Sequence, residues 1–141
     1  MGAAENKQLM QDIFAAAAKG DGSLYRASLA DDFRLIVTGQ YSWSQTFEGK
    51  ERALRDLYGY VATRVQPPQR TIAERFIADG DLVVVEAHGD MTTKDGQRYD
   101  NHYCLVYQLR DSKIVEMREY QDSALCERVL GPYPTSAKSA D

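Results

Sequence analysis

The chain has 141 residues with 17 Lys and Arg against 21 Asp and Glu, a formal net charge of −4, which suits one domain with its own core. Its basic residues are scattered among acids, so a surface built to neutralise nucleic-acid phosphates is excluded. Glu5, Lys7 and Asp12 interrupt any secretory signal and the longest strongly apolar run, Leu82 to Val85, is too short to cross a bilayer, so a cytoplasmic protein with no membrane partner is expected.

From Glu5 to Lys19, Leu9, Met10, Ile13, Phe14 and Ala17 recur at spacings of three and four, the pattern of an amphipathic helix. Gly20 ends it, and the GDGS that follows starts a short second helix, Leu24 to Leu29, closed by Asp31 and Asp32. Phe33 to Thr38 is β-branched and apolar and reads as a strand. Gly39 to Gly49 is a loop rich in Gly, Ser and Gln that also carries Tyr41, Trp43 and Phe47. The third helix runs through Ala53, Leu54, Leu57, Tyr58 and Val61 until Pro67 and Pro68 stop it. Four antiparallel strands follow, Thr71 to Ala78, Leu82 to Thr93, Gln97 to Arg110 and Lys113 to Ser123, separated by Asp-Gly and Asp-Ser reversals. Helices first and a meander afterwards give an α+β domain over residues 1–130. The polar, proline-bearing 131–141 (GPYPTSAKSAD) reads as a flexible tail. Cys104 and Cys126 are too few and too far apart for a disulfide framework or redox motif and read as packing residues.

The run YDNHYCLVYQLRDSKIVEMREYQDSAL, preceded by VVVEAHGDMTTKDGQ, resembles the ketosteroid-isomerase-related, SnoaL-like branch of the nuclear-transport-factor-2-like superfamily. GDGSLYRASLADDF and FEGKERALRDLY match its helix-two exit and helix-three entry. The resemblance implies a cone, three N-terminal helices on a strongly curved, mostly antiparallel sheet, open at one end onto an apolar pocket. It also implies a working aspartate at the end of the last strand, as in related epoxide hydrolases and polyketide cyclases, here Asp122 in Tyr120-Gln121-Asp122. Steroid isomerisation itself is not expected, because the first helix carries no tyrosine to serve as an oxyanion donor.

Residues two apart on a strand share a face. On the last strand Glu116, Arg118, Tyr120 and Asp122 form one row and Val115, Met117, Glu119 and Gln121 the other. The first row suits either a solvated outer face or a pocket wall bearing Arg118 and Asp122. On the strand before it Tyr99, Asn101, Tyr103, Leu105 and Tyr107 share a face, and an amide among aromatics suits a ligand wall, although Tyr107 reads as packing the sheet or a dimer contact. Glu86 interrupts the valines of the second strand, so it faces solvent or needs a partner such as Arg118 or His88. The expected catalytic residues are therefore Asp122 and Glu86 with Arg118 orienting the former. The expected ligand contacts are Asn101, Tyr103, Tyr120, Tyr58 and Trp43, the last on a loop that lines or covers the pocket mouth.

His88 and His102 join no cluster dense enough for a metal, and no GxSxG, GxxxxGK[ST] or GxGxxG motif is present. Without metal or cofactor, the chemistry left is acid–base work on a hydrophobic carbonyl, polyketide-like or epoxide metabolite, by an isomerase, lyase, cyclase or hydrolase. A non-catalytic binding pocket or a dimerisation module on the same fold is the alternative. A homodimer through sheet faces is expected, with Val115 and Met117 in the contact.

Overall fold

The computed structural model describes residues 2–134. Helix α1 (Ala3–Ala18) buries Met10, Ile13 and Phe14, the stripe its periodicity predicts. It ends at Gly20, whose φ of 84° needs a residue without a side chain. Helix α2 (Ser23–Ser28) runs directly into β1 (Leu29–Val37). The strand thus starts four residues before the expected Phe33, and Asp31 and Asp32 lie exposed in an irregular stretch of it rather than closing the helices. The aromatic loop contains one more strand, β2 (Gln45–Glu48), antiparallel to β1.

The third helix is one continuous stretch in three windings: α3 (Lys50–Arg52), a π-helical segment (Ala53–Tyr58) and α4 (Gly59–Val61). Its Ala53 and Leu57 are buried. Strands β3 (Arg70–Asp79), β4 (Leu82–Thr92), β5 (Arg98–Tyr99), β6 (His102–Arg110) and β7 (Lys113–Gln121) follow. The expected single strand from Gln97 to Arg110 is therefore broken at Asp100 and Asn101. The sheet order is β2-β1-β7-β6-β4-β3, with β5 beside β4. Every pairing is antiparallel except β1 with β7. The helices pack on the concave side, where Phe33, Leu35, Val83, Val85 and Ile114 are almost wholly enclosed.

The chain does not loosen after β7. Asp122 accepts a hydrogen bond from the Leu125 amide and caps a further helix, α5 (Ser123–Leu130), that buries Cys126 and Leu130. Beyond it Tyr133 is only 3 % exposed, packed against Trp43, Phe47 and Tyr60. Its hydroxyl donates to the Asp56 carbonyl at 2.9 Å, and the Trp43 indole donates to the Gly131 carbonyl at 2.9 Å. The expected tail is thus part of the core through Tyr133, while its remainder, 135–141, lies outside the described residues.

Replacing Tyr133 with Ala removes the ring shared by Trp43, Phe47 and Tyr60 and leaves Trp43 packed on Tyr60 alone among these aromatics. Urea unfolding followed by Trp43 fluorescence is expected to show a loss of about 3 kcal/mol, the cost typical of truncating a buried aromatic.

Candidate active site

The curved sheet and the helices do not fill the space between them. A cavity of about 600 Å³ remains, well within the range of small-molecule sites. Its apolar wall includes Phe14, Leu54, Leu57, Met91, Leu105 and Met117. Several lining residues at the α1–α2 turn and before β3 are themselves exposed, among them Gly20, Arg26, Pro67 and Pro68, which locates the mouth there.

Among the described residues one carboxyl faces this space. Glu119 stands on β7 two residues beyond Met117, on the strand face whose register partners are Leu105 and Val37. Its side chain has no hydrogen bond or ion pair among the described residues. Enclosure without a partner pushes its pKa up to about 7, because protein around a carboxylate disfavours the charged form. Phenols surround it. Tyr25 on α2 and Tyr58 on the third helix bring their hydroxyls within 2.7 Å of each other, with their rings edge to face. Both hydroxyls are held well above their ordinary pKa by burial, as is that of Tyr107, and the Glu119 charge adds to the shift in all three. In such a pair one hydroxyl donates to the other, so one O–H remains free for a third acceptor.

The inner wall is a second polar network. Gln121 on β7 donates to the Tyr41 hydroxyl at 2.7 Å and accepts from the Tyr99 hydroxyl and from Asn101, each at 3.1 Å. Tyr103 lines the cavity beside them, its hydroxyl raised by burial and by Glu119. Cys126 shares this wall, and burial pushes its thiol up to about 12, so it stays protonated and unreactive.

Tyr58, Tyr103 and Trp43 line the cavity, Trp43 from the interior. At 2 % exposure, with its ring on Tyr60 and Tyr133, it is a wall and not a lid over the mouth. Asn101 is fully buried and absent from the lining. Its amide donates to the Tyr99 hydroxyl, Gln121 and the Asp122 carbonyl, and its oxygen accepts from the His102 and Asp122 amides. It ties the break between β5 and β6 to the end of β7.

The other residues expected at the site lie away from the cavity, on the outer face of the sheet or just past its end. Asp122 is exposed and occupied as the α5 cap. Glu86 faces outward and pairs with Arg75 across β3. Arg118 is exposed and pairs with Glu116 at 3.5 Å. Tyr120 is 44 % exposed on the same outer row. Met117, expected in a dimer contact, is 2 % exposed and faces the cavity. Alternation groups residues by face without saying which face is inside, and the more polar row is the solvated one. Sequence reasoning missed Glu119 and Tyr25. The signal for Glu119 was its place between Met117 and Gln121, in register with the buried Leu105.

Residues 10–117 match the family model described as "SnoaL-like domain". No curated protein matches the chain. Among solved structures, it is similar to an NTF2-like protein from Burkholderia xenovorans, with 28 % identity, a TM-score of 0.69, and coverage of 92 % of this chain and 98 % of that one. It is also similar to a candidate SnoaL-like polyketide cyclase from Jannaschia sp., with 20 % identity, a TM-score of 0.73, and coverage of 94 % and 95 %. An LEH-like epoxide hydrolase of M. tuberculosis has 21 % identity, a TM-score of 0.68, and coverage of 91 % and 90 %. At these two identities the likeness is one of fold.

The raised pKa of Glu119 makes stability depend on pH. The folded protein binds this proton more tightly than the unfolded chain, so between about pH 4.5 and about 7 stability falls as pH rises, and the effect levels off above 7. Urea titrations across that window are expected to show the wild type losing up to about 3 kcal/mol more than Glu119→Gln, in which the slope disappears.

Proposed function

The chain belongs to the SnoaL-like family, and from that premise we propose that it is a cofactor-independent acid–base enzyme acting on a hydrophobic carbonyl compound. The observation that carries this reading is Glu119, a carboxyl without a partner on the wall of an apolar cavity, with its pKa moved to about 7. A structural carboxylate would have been given a cation or backbone amides, because an unpaired one costs stability. A group that titrates near neutrality can accept a proton and return it.

In this reading the carbonyl oxygen of the substrate accepts a hydrogen bond from the free O–H of the Tyr25–Tyr58 pair. Glu119 removes a proton from the adjacent carbon. The electron pair moves onto the oxygen, where the hydroxyl pair stabilises the enolate, and the protonated Glu119 then delivers the proton to another carbon of the same molecule. Atoms balance within one substrate, so no external oxidant or co-reactant enters. The same carboxylate could instead deprotonate a water or an enolisable nucleophile, which separates isomerase from hydrolase and cyclase outcomes on one geometry.

We further propose that a second copy of the chain covers the outer face of the sheet. Ile36, Val106, Val84 and Ile77 are aligned across β1, β6, β4 and β3, with Arg118 between the first two. Ile77 is 52 % exposed and Tyr120 lies one row away. Sedimentation velocity is expected to give twice the chain mass, and Val84→Asp combined with Val106→Asp is expected to return the monomer.

With a substrate found by screening enolisable apolar ketones, Glu119→Gln is expected to lower kcat about a hundredfold or more, with a smaller effect on KM. Asp122→Asn and Glu86→Gln are expected to stay near wild type. The wild-type kcat/KM is expected to rise with pH through about 7, as Glu119 becomes a base. Wild-type turnover in Glu119→Gln would remove Glu119 from the reaction, and binding of such ketones by the wild type with no turnover of any would make the cavity a binding pocket only.

A further inference from the structure

We infer that Arg26 selects the substrate, and that the compound entering this cavity is an apolar molecule with one carboxylate, held with the carboxylate at the mouth and the reacting carbon inside. The inference rests on the cavity and on the role of Glu119 proposed above.

Among the described residues that line the cavity, two carry a formal charge, Arg26 and Glu119. They do not pair with each other. Glu119 stands inside on β7, whereas Arg26 is on α2, next to Tyr25 in sequence, and is exposed at the rim with Gly20, Pro67 and Pro68. The wall between the two charges is neutral. A ligand that fills it therefore meets a cation as it enters and a proton acceptor further in, with apolar surface and phenols along the way.

Arg26 has no ion-pair partner among the described residues. Asp21 is near enough for its carboxyl to feel the guanidinium, but that carboxylate is engaged by the Ser23 amide at 2.9 Å and the Ser23 hydroxyl at 2.6 Å. The other arginine near this rim, Arg70, is spent differently: it donates to the Ala18 carbonyl and pairs with Asp90. The local backbone leaves room for the Arg26 head group. A Cβ at Gly22 would lie 3.0 Å from Nη1, so the guanidinium folds back over a position that has no side chain. A planar fork with donors uncommitted to protein matches a carboxylate bidentately, which a lysine would not. The deeper carboxyl opposes a second anion at the inner end, so a ligand with a single charge is read in one direction only.

The experiment compares 2-naphthylacetate with 2-naphthylacetamide by isothermal titration calorimetry, below pH 7 where Glu119 is mostly protonated. Wild type is expected to prefer the acid about fivefold, as for a partly solvated ion pair, with the preference shrinking in high salt. Arg26→Gln is expected to abolish the preference while leaving the affinity for the amide unchanged, an outcome that a merely structural Arg26 would not produce. Equal affinities in wild type, or a preference that survives in Arg26→Gln, would overturn the assignment and leave the reading of Glu119 standing. Binding of neither compound to wild type would overturn it together with the reading of the cavity as a ligand site.

Discussion

The position of β7 between β1 and β6 is the constraint on which the rest of this molecule depends. It joins the helical half of the chain to the meander through the one parallel pairing in the sheet. Its register sets Met117 beside Leu35 and Tyr107, and Glu119 beside Val37 and Leu105. Because side chains alternate strictly along a strand, that pairing also settles that Glu119 and Gln121 face inward while Glu116, Arg118 and Tyr120 face out. A slip of one residue would bury an ion-paired arginine and expose the cavity wall, so the core and the site are specified by the same ladder.

A site of this kind is paid for in stability, and the surrounding packing carries that cost. The unpaired Glu119 and an unfilled volume both oppose folding. Against them stand aromatic groups that pack edge to face, Phe14 on Phe76 and Tyr107, and Trp43 and Tyr60 on Tyr133. The polar groups nearest the site are otherwise matched in pairs: Tyr25 with Tyr58, Gln121 with Tyr41, Asn101 with both Tyr99 and Gln121. Glu119 stands apart from these matched groups as a carboxyl on the cavity wall with no hydrogen bond or ion pair among the described residues, and that contrast gives it its meaning.

Most of the architecture was legible in the sequence because it is written in local patterns. The stripe of α1, the prolines after the third helix and the hairpin turns each follow from spacing or backbone chemistry near at hand. The shared face of β6 was also legible, since Tyr103 and Leu105 face the cavity together, whereas Tyr107, read as a packing residue, lines it too. What was not legible depended on partners distant in sequence. Strand β2 is short and polar at its start and exists because β1 offers it a ladder. Asp122 was read as a strand-end carboxylate, although Leu125, Cys126, Val129 and Leu130 behind it carry helical spacing, which makes it a cap. The choice of inner face on β7 reversed because charge was taken as a mark of the site. Here paired charges, such as Arg118 with Glu116, mark the outside, and the functional charge is the unpaired one.

The C-terminal closure of the core also governs the order in which the protein can form. Tyr133 meets Ser42 across 91 residues of sequence, and β7 meets β1 across a comparable span. A nascent chain therefore presents its helices and the inner face of β1 long before the segments that cover them are synthesised. Contacts this distant are entropically expensive to close and slow to form. During translation the apolar surfaces that later become the cavity are unsheltered, and a chaperone has access to them until β7 and α5 leave the ribosome.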